Sequence, residues 1–381
     1  MIDCNWPTTQ NAALEKLAEF VPRAGRQYAS NRNYDLGPTD RSNVSMLSPW
    51  IRHRTLTEER VTTAVLQKHD LHQAEKFVQE VIWRTYWKGW LEHRPAVWND
   101  YASFNNDSVP ERLFQQAVTG KTGIDCFDYW SDELQNTNYL HNHARMWFAS
   151  IWIFTLGLPW QLGAKFFMQH LFDGDAASNT LGWRWVAGIQ TIGKHYVARA
   201  TNIEQFTNGR FSPNNLNEAP VPVASSKTYD ILPIDDHANY QKKYNNLIVL
   251  ENDIYAKSKS DYEAYDAVFV LHPDSIARSA DLAVPVKDFK IRLVSAFCEN
   301  HKNAQVIDAA ALRAIAASQQ GLDVVYPAIG DNFDFLRRLR DESGVLLHFL
   351  KRPEDVFCWQ FAKKGFFNFK KHIPDMISFA Q

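Results

Sequence analysis

An acid, an amide and an indole recur at four-residue intervals as Asp175, Asn179 and Trp183, which puts all three on one face of a helix. They lie in the densest polar stretch of the chain, residues 173–191 (DGDAASNTLGWRWVAGIQT), where Asp173 adds a second carboxylate and Trp185 a second indole. A helix that turns such a line toward a core strips polar groups of water, so the line calls for a polar partner. A ligand with ring nitrogens and hydroxyls would supply one. Trp160 follows Pro159, a residue suited to a first helical turn, so it begins the helix before this stretch.

Two more helical faces carry side chains able to do chemistry. Over residues 73–92 the apolar spacing predicts a helix on which Glu80, Trp83, Arg84 and Trp87 share a face. Periodicity alone reads that face equally well as a Glu–Arg pair beside core indoles. Residues 138–156 predict a second helix, with Asn142, Arg145, Met146 and Ala149 on one side. Arg145 is placed to pair with Asp173, an ion pair that is costly to bury unless well hydrogen-bonded. Ahead of both, residues 26–54 are rich in Asn, Gly, Pro, Ser and Thr and read as an extended loop. Such a loop, with Ser48 and Pro49 leading into a helix, offers backbone N–H groups and hydroxyls to phosphates.

The elements that must hold these residues fall into two regimes, and 381 residues give room for two domains. Helical spacing dominates residues 1–217, including a short helix over 11–20 and one over 58–69 that a Thr55/Glu58 box would cap. Residues 218–226, with the run PVPVASS, read as a linker. From 227 to 381 short β-rich runs appear at 245–253, 265–273, 322–330 and 344–351, with helical stretches at 309–319 and 333–341. The expected fold is a mainly α domain followed by a smaller α/β, Rossmann-like domain with a parallel sheet. There is no glycine-rich dinucleotide fingerprint, which argues against an NAD site. GKTG at 120–123, in a loop-rich stretch over 99–130, lacks the spacing of a phosphate-binding loop.

A net charge of −2 gives no global basic field and leaves open a local basic groove. Cys4, Cys126, Cys298 and Cys358 form no CxxC, so no metal centre is expected and reduced thiols are. The first ten residues lack a basic-then-apolar leader, and the apolar run around 151–154 is too short for a bilayer. The expectation is a soluble, cytoplasmic chain with no membrane partner.

LHNHARM at 140–146, followed by Trp160, Asp-Gly-Asp at 173–175, Asn179 and WRW at 183–185, resembles the flavin pocket of the DNA photolyase/cryptochrome family. Tyr28 with Arg32 resembles that family's YxxxR start, and Val44, Ser45, Met46, Leu47 and Ser48 its TSRLS phosphate loop. Val44 and Met46 stand where the family has threonine and arginine. QEVIWRTYW at 79–87 resembles its ELIWRxFY helix. The resemblance implies FAD, held by Tyr28, residues 44–48, Arg84, Asn142, Arg145, Asp173, Asp175 and Asn179. It assigns catalysis to Glu80, Trp83, Met146, Asn179, Trp160 and Trp183, and DNA contact to Arg32, Glu80, Trp83, His143 and Met146. His143 stands where many cyclobutane-dimer photolyases have arginine, and reads as a substrate ligand or as a solvent-facing helix residue.

The activity so implied is blue-light-driven splitting of cyclobutane pyrimidine dimers in DNA, by electron transfer from excited reduced FAD. A cryptochrome-type photoreceptor and a 6-4 photolyase are the alternatives. Trp160 and Trp183 match two members of the family's electron-hopping chain. The third falls at 104–107, where Phe104, Asn105, Asn106 and Asp107 stand, so that Trp98 or Trp130 substitutes or the chain is shorter. Residues 358–374 resemble, more loosely, the end of the family's antenna-type domain, which normally precedes the flavin domain. The order here looks reversed, and a second, antenna chromophore is left open.

Overall fold

The computed structural model describes residues 6–105, 109–225, 227–234, 240–255 and 260–380. Cys4, Asn106, Asp107 and Ser226 lie outside the described residues.

The helix Leu71–Glu92 is the axis of the helical part. Its apolar side chains recur at three- and four-residue steps, and Ala74, Phe77, Val78, Val81, Ile82, Tyr86 and Leu91 are buried. Helices Arg26–Asn31, Glu58–Leu66, Ala176–Val186 and Pro353–Trp359 pack around it. Gly89 lets the last of these approach, because a Cβ there would stand 2.7 Å from the Trp359 ring.

Local chemistry moves several expected boundaries. The cap of helix Glu58–Leu66 is Thr57, whose hydroxyl accepts from the Arg60 N–H, in place of Thr55. Residues 26–54 are not one loop. Helices Arg26–Asn31 and Ser48–Arg52 close its two ends. Residues 99–130 are more helical than their composition suggests, with Pro95–Ala102, Glu111–Val118 and Asp125–Thr137. The GKTG turn spends its Thr122 and Gly123 N–H groups on the Asp128 carboxylate, both at 2.9 Å. Asn138, in a left-handed conformation at φ 55°, ends Asp125–Thr137, so the next helix starts only at Asn142. That helix runs Asn142–Ser150 and passes into a π turn over Ile151–Thr155.

The second part is a parallel five-stranded sheet in the order β3-β2-β1-β4-β5. Its strands are β1 Asn246–Val249, β2 Ala267–Leu271, β3 Ala304–Ile307, β4 Gly321–Val325 and β5 Leu346–Leu350. Helices Val284–Asn300, Ala309–Ser318 and Asp331–Ser343 cross between the later strands. β3 has no counterpart among the expected runs, because AQVI is a half-exposed edge strand with a weak apolar pattern.

The end of β1 meets the helical layer. The His53 ring lies 2.7 Å from the Glu251 carbonyl oxygen and 3.2 Å from that of Phe172. Arg54 donates to Asp253 at 3.0 Å and to both oxygens of Asp355. Beyond the sheet the chain returns to the helical layer, where Phe366, Phe369, Ile373 and Met376 share a core with Phe20, Tyr28, Phe77 and Tyr86. Among the described residues, no helix is long and apolar enough to cross a membrane.

Candidate functional site: a polar chamber and an aromatic platform

The loop over residues 32–47 is tied down on both flanks. Asp35, fully buried, accepts from Trp130 Nε1 at 3.0 Å, Arg41 at 2.8 Å and Arg210 at 2.7 Å. Asn43 donates to the Asn31 and Tyr34 carbonyl oxygens at 2.8 and 2.7 Å. These bonds hold Met46 at φ 55°, a left-handed conformation that a non-glycine residue adopts only when its surroundings impose it. Val44, Ser45, Met46 and Ser48 are half-buried and Leu47 is buried. Tyr28 packs edge-on against Phe77 at 5.1 Å, and burial raises its phenol pKa.

Arg145 and Asp173 form the expected pair in bidentate geometry, with N–O distances of 3.0 and 2.9 Å. Arg145 Nε donates to the Leu140 carbonyl oxygen at 2.9 Å, which fixes the guanidinium plane. Burial pushes the Asp173 carboxyl up, but the Arg145 charge and a Ser48 hydroxyl outweigh it and leave the pKa lowered. Ser48 thereby joins the loop to the Asp-Gly-Asp turn.

Asp175 caps the helix Ala176–Val186, accepting from the Ser178 N–H at 2.8 Å. Its other oxygen faces Arg52 at 3.5 Å and Arg84 at 3.9 Å. Burial opposes its ionisation, and Arg52, Lys88 and Arg84 together hold its pKa below the usual carboxylate range. Arg52 and Lys88 were not singled out in the sequence. The signal was Lys88 at i+4 from Arg84, on the same helical face.

Asn179 donates to the Ala164 carbonyl oxygen at 2.8 Å. Trp183, 2 % exposed, lies against Phe167 at 5.0 Å and over Gly163, where a Cβ would come within 2.2 Å of the indole. Among the described residues, the buried donors without a hydrogen-bond partner include Arg84 Nη1 and Trp183 Nε1. Orphaned donors beside an anchored carboxylate cluster suit a ligand that brings carbonyl oxygens, ring nitrogens and hydroxyls. The residues present therefore fit a flavin.

Asn142 is exposed at the first position of its helix, and Met146 is half-buried. His143 is half-buried. Its Nδ1 lies 2.9 Å from the Asn33 carbonyl oxygen, its Nε2 3.3 Å from the Tyr196 hydroxyl, and its ring stacks on Trp147 at 3.9 Å.

Glu80 pairs with Arg32, not with Arg84, so two expected DNA contacts meet each other. Burial raises the Glu80 pKa while Arg32 and Lys76 lower it. One turn on, the Trp83 ring stacks on Phe366 with centroids 3.5 Å apart and planes at 11°. Trp160 faces Tyr101 at 5.9 Å, and Tyr101 faces Trp98 at 5.3 Å. Trp130 instead stacks on Trp147 and hydrogen-bonds Asp35. Among the described residues, no group of three or more His, Cys, Asp or Glu is placed to hold a metal ion.

A helical flavin chamber joined to a parallel α/β sheet is the class of protein that fold and site define. Residues 77–214 match the FAD binding domain of DNA photolyase. Among curated proteins, the deoxyribodipyrimidine photo-lyase of Escherichia coli is 30% identical over 206 residues, 50% of this chain and 42% of that protein. Its Streptomyces griseus counterpart is 32% identical over 202 residues, 49% and 44% of the two chains. A solved class III photolyase from Agrobacterium tumefaciens is 28% identical, with a TM-score of 0.47, covering 54% of this chain and 44% of that one. Over residues 77–214 the chain is similar to the FAD-binding domain of the photolyase/cryptochrome family. It spans less than half the length of the curated relatives it matches. Tyr28, residues 44–48 and Phe366 lie outside the matched span.

Proposed function

We propose that the chain is a DNA photolyase that splits cyclobutane pyrimidine dimers under blue light. Reduced FAD, when bound, supplies the light-driven one-electron chemistry that opens the cyclobutane ring. The protein holds the cofactor with Arg84, Asn142, Arg145, Asp173, Asp175, Asn179, Tyr28 and the backbone of residues 44–48. Glu80 and Trp83 receive the flipped lesion, and Met146 lines the same side. Extruding a damaged pair costs less than extruding a sound one, which favours the lesion. On this reading residues 1–217 carry the cofactor, 218–226 are the linker and 227–381 supply the α/β part. With Cys126, Cys298 and Cys358 unpaired, we place the protein in a reducing cytoplasm.

The observation that carries the reading is the pairing of roles on one helix. Trp83 presents an indole braced by Phe366, and Glu80, one turn away, has its pKa raised by burial and its carboxylate oriented by Arg32. A base face and a base edge can thus be read from neighbouring positions. One observation favours a photoreceptor instead: both ring nitrogens of His143 are committed to Asn33 and Tyr196. The test is loss of dimers from ultraviolet-treated oligothymidine under blue light. A folded, FAD-loaded protein that leaves dimers intact, and shows no preference for irradiated DNA, makes the photoreceptor the better reading.

A further inference from the structure

Residues 363–371 (KKGFFNFKK) lie along the outside of the helix that carries Glu80 and Trp83, and four interactions fix their course. Arg94 donates to the Lys363 carbonyl oxygen at 2.7 Å, and the Tyr86 hydroxyl to that of Lys364 at 3.0 Å. Phe366 stacks on Trp83, and Lys370 Nζ lies 3.9 Å from Glu75. The segment thus runs antiparallel to the helix, past the proposed lesion site.

Its side chains divide sharply. Phe366 and Phe369, 5% and 0% exposed, are rooted in the core, whereas Phe367 is 76% exposed. Lys363, Lys364 and Lys371 are exposed, and among the described residues none of the three is in an ion pair. Lys370 Nζ sits 5.7 Å from the Phe367 ring centroid. A lone exposed phenylalanine needs no explanation by itself. Four lysines within four residues of one along the sequence, in a chain whose net charge is −2, make a local concentration of charge that composition does not predict.

Lysines that track a backbone and an aromatic ring that stacks on unpaired bases are the two parts of a sequence-tolerant single-strand site. We propose that residues 363–371 are a nucleic-acid contact. Lys363, Lys364, Lys370 and Lys371 take phosphates of the strand flanking the lesion, and Phe367 stacks on an unpaired base. This proposal rests on the DNA-repair reading for its geometry and adds a site to it. Because the anchors are buried and the contact side chains exposed, the strip is formed before DNA arrives.

The test uses the full, FAD-loaded chain and fluorescence anisotropy with oligothymidine, intact or ultraviolet-treated, across a salt series. Phe367→Ala should weaken binding to both DNAs about 5- to 150-fold, the range for losing one stacked base. The Lys363→Ala/Lys364→Ala double variant should lower the slope of log affinity against log salt by about 1.4, at about 0.7 per phosphate contact on a single strand. Flavin absorbance and circular dichroism check that the exposed substitutions leave the fold intact. Unchanged affinity and slope, while Trp83→Ala still weakens binding to dimers, overturn the strip and leave the lesion site standing. Losses in the strip variants of a protein with no preference for dimers support the strip and sink the repair reading. Wild type that binds neither DNA sinks both. Loss of binding to phosphatidylserine vesicles with DNA binding intact would make the segment a membrane contact and overturn the proposal.

Discussion

The rings of Trp83 and Phe366 lie 3.5 Å apart and 11° from parallel, so a residue near the end of the chain backs the indole proposed to meet substrate. Phe366 is only 5% exposed and also touches Tyr86 and Phe369. A side chain so rooted is a wall and not a lid. It covers one face of the indole.

Removing the wall should therefore cost stability and substrate discrimination together. Phe366→Ala leaves a cavity and should destabilise the protein by about 3–5 kcal/mol, read as a shift in the urea midpoint. Phe366→Leu, which keeps most of the volume, should recover most of the stability but less of the preference for dimer-containing DNA. Equal recovery of both would mean that Phe366 only fills space.

The Arg145–Asp173 pair makes a second, separable prediction. Asp173→Ala leaves a guanidinium unpaired beside Leu140, a change that costs roughly 3–5 kcal/mol for a buried pair. Flavin should be lost on gel filtration. The Asp173 pKa is lowered in the folded state, so its stabilisation is present above the unfolded value of 3.8 and disappears as pH falls through the folded value. The wild type should accordingly keep its flavin at pH 5 and release it under stronger acid. A variant that retains full occupancy removes this pair from the cofactor's support.

What could be read from the sequence was whatever obeys a local period. The central helix and the parallel sheet follow from spacing and residue type, whereas the Arg145–Asp173 pairing is suggested beside the resemblance that puts both residues at one pocket. β3 escaped because an edge strand buries little, and Thr57 displaced Thr55 because a cap is decided by one φ/ψ pair. The convergence of Arg52, Lys88 and Arg84 on Asp175 escaped in part because Arg52 lies on another helix. Phe366 escaped altogether: only the return of the chain from the sheet brings it to Trp83. Of Trp98 and Trp130, the structure links Trp98 to Trp160 through Tyr101, a relay that no sequence spacing encodes.

That relay gives the third prediction. Trp183 shares its helix with Asn179, one of the residues proposed to hold FAD, and Trp160, Tyr101 and Trp98 form a run of neighbouring rings. Trp98 Nε1 donates to Asp334 at 2.8 Å, which ties the far end of the run to the α/β part. Trp183→Phe should abolish light-induced flavin reduction with FAD binding intact. Tyr101→Phe and Trp98→Phe should each slow it severalfold. Rates that respond to Trp130→Phe and ignore Trp98→Phe would redirect the route.

The last prediction concerns the joint between the two parts. The partly buried Glu92 accepts from the Tyr326 hydroxyl at 2.7 Å and from the Ile329 N–H at 2.9 Å. Desolvation pushes its carboxyl pKa up to about 7, against the pull of those two donors. The sign follows from proton counting. Between the usual value of 4.5 and about 7 the folded state binds more protons than the unfolded chain, so stability falls as pH rises across that window. Above it, the folded protein carries a poorly solvated charge where helical layer and sheet meet. Glu92→Gln removes the charge and keeps an oxygen for the Ile329 N–H. Its amide can in turn donate to the Tyr326 oxygen. The variant should lie close to wild type near pH 5 and exceed it at pH 8 by roughly 2–3 kcal/mol, each pKa unit being about 1.4 kcal/mol. Urea unfolding at the two pH values measures the difference. Parallel behaviour of variant and wild type from pH 5 to 8 would show that Glu92 ionises in the joint without cost, and that water reaches the carboxyl.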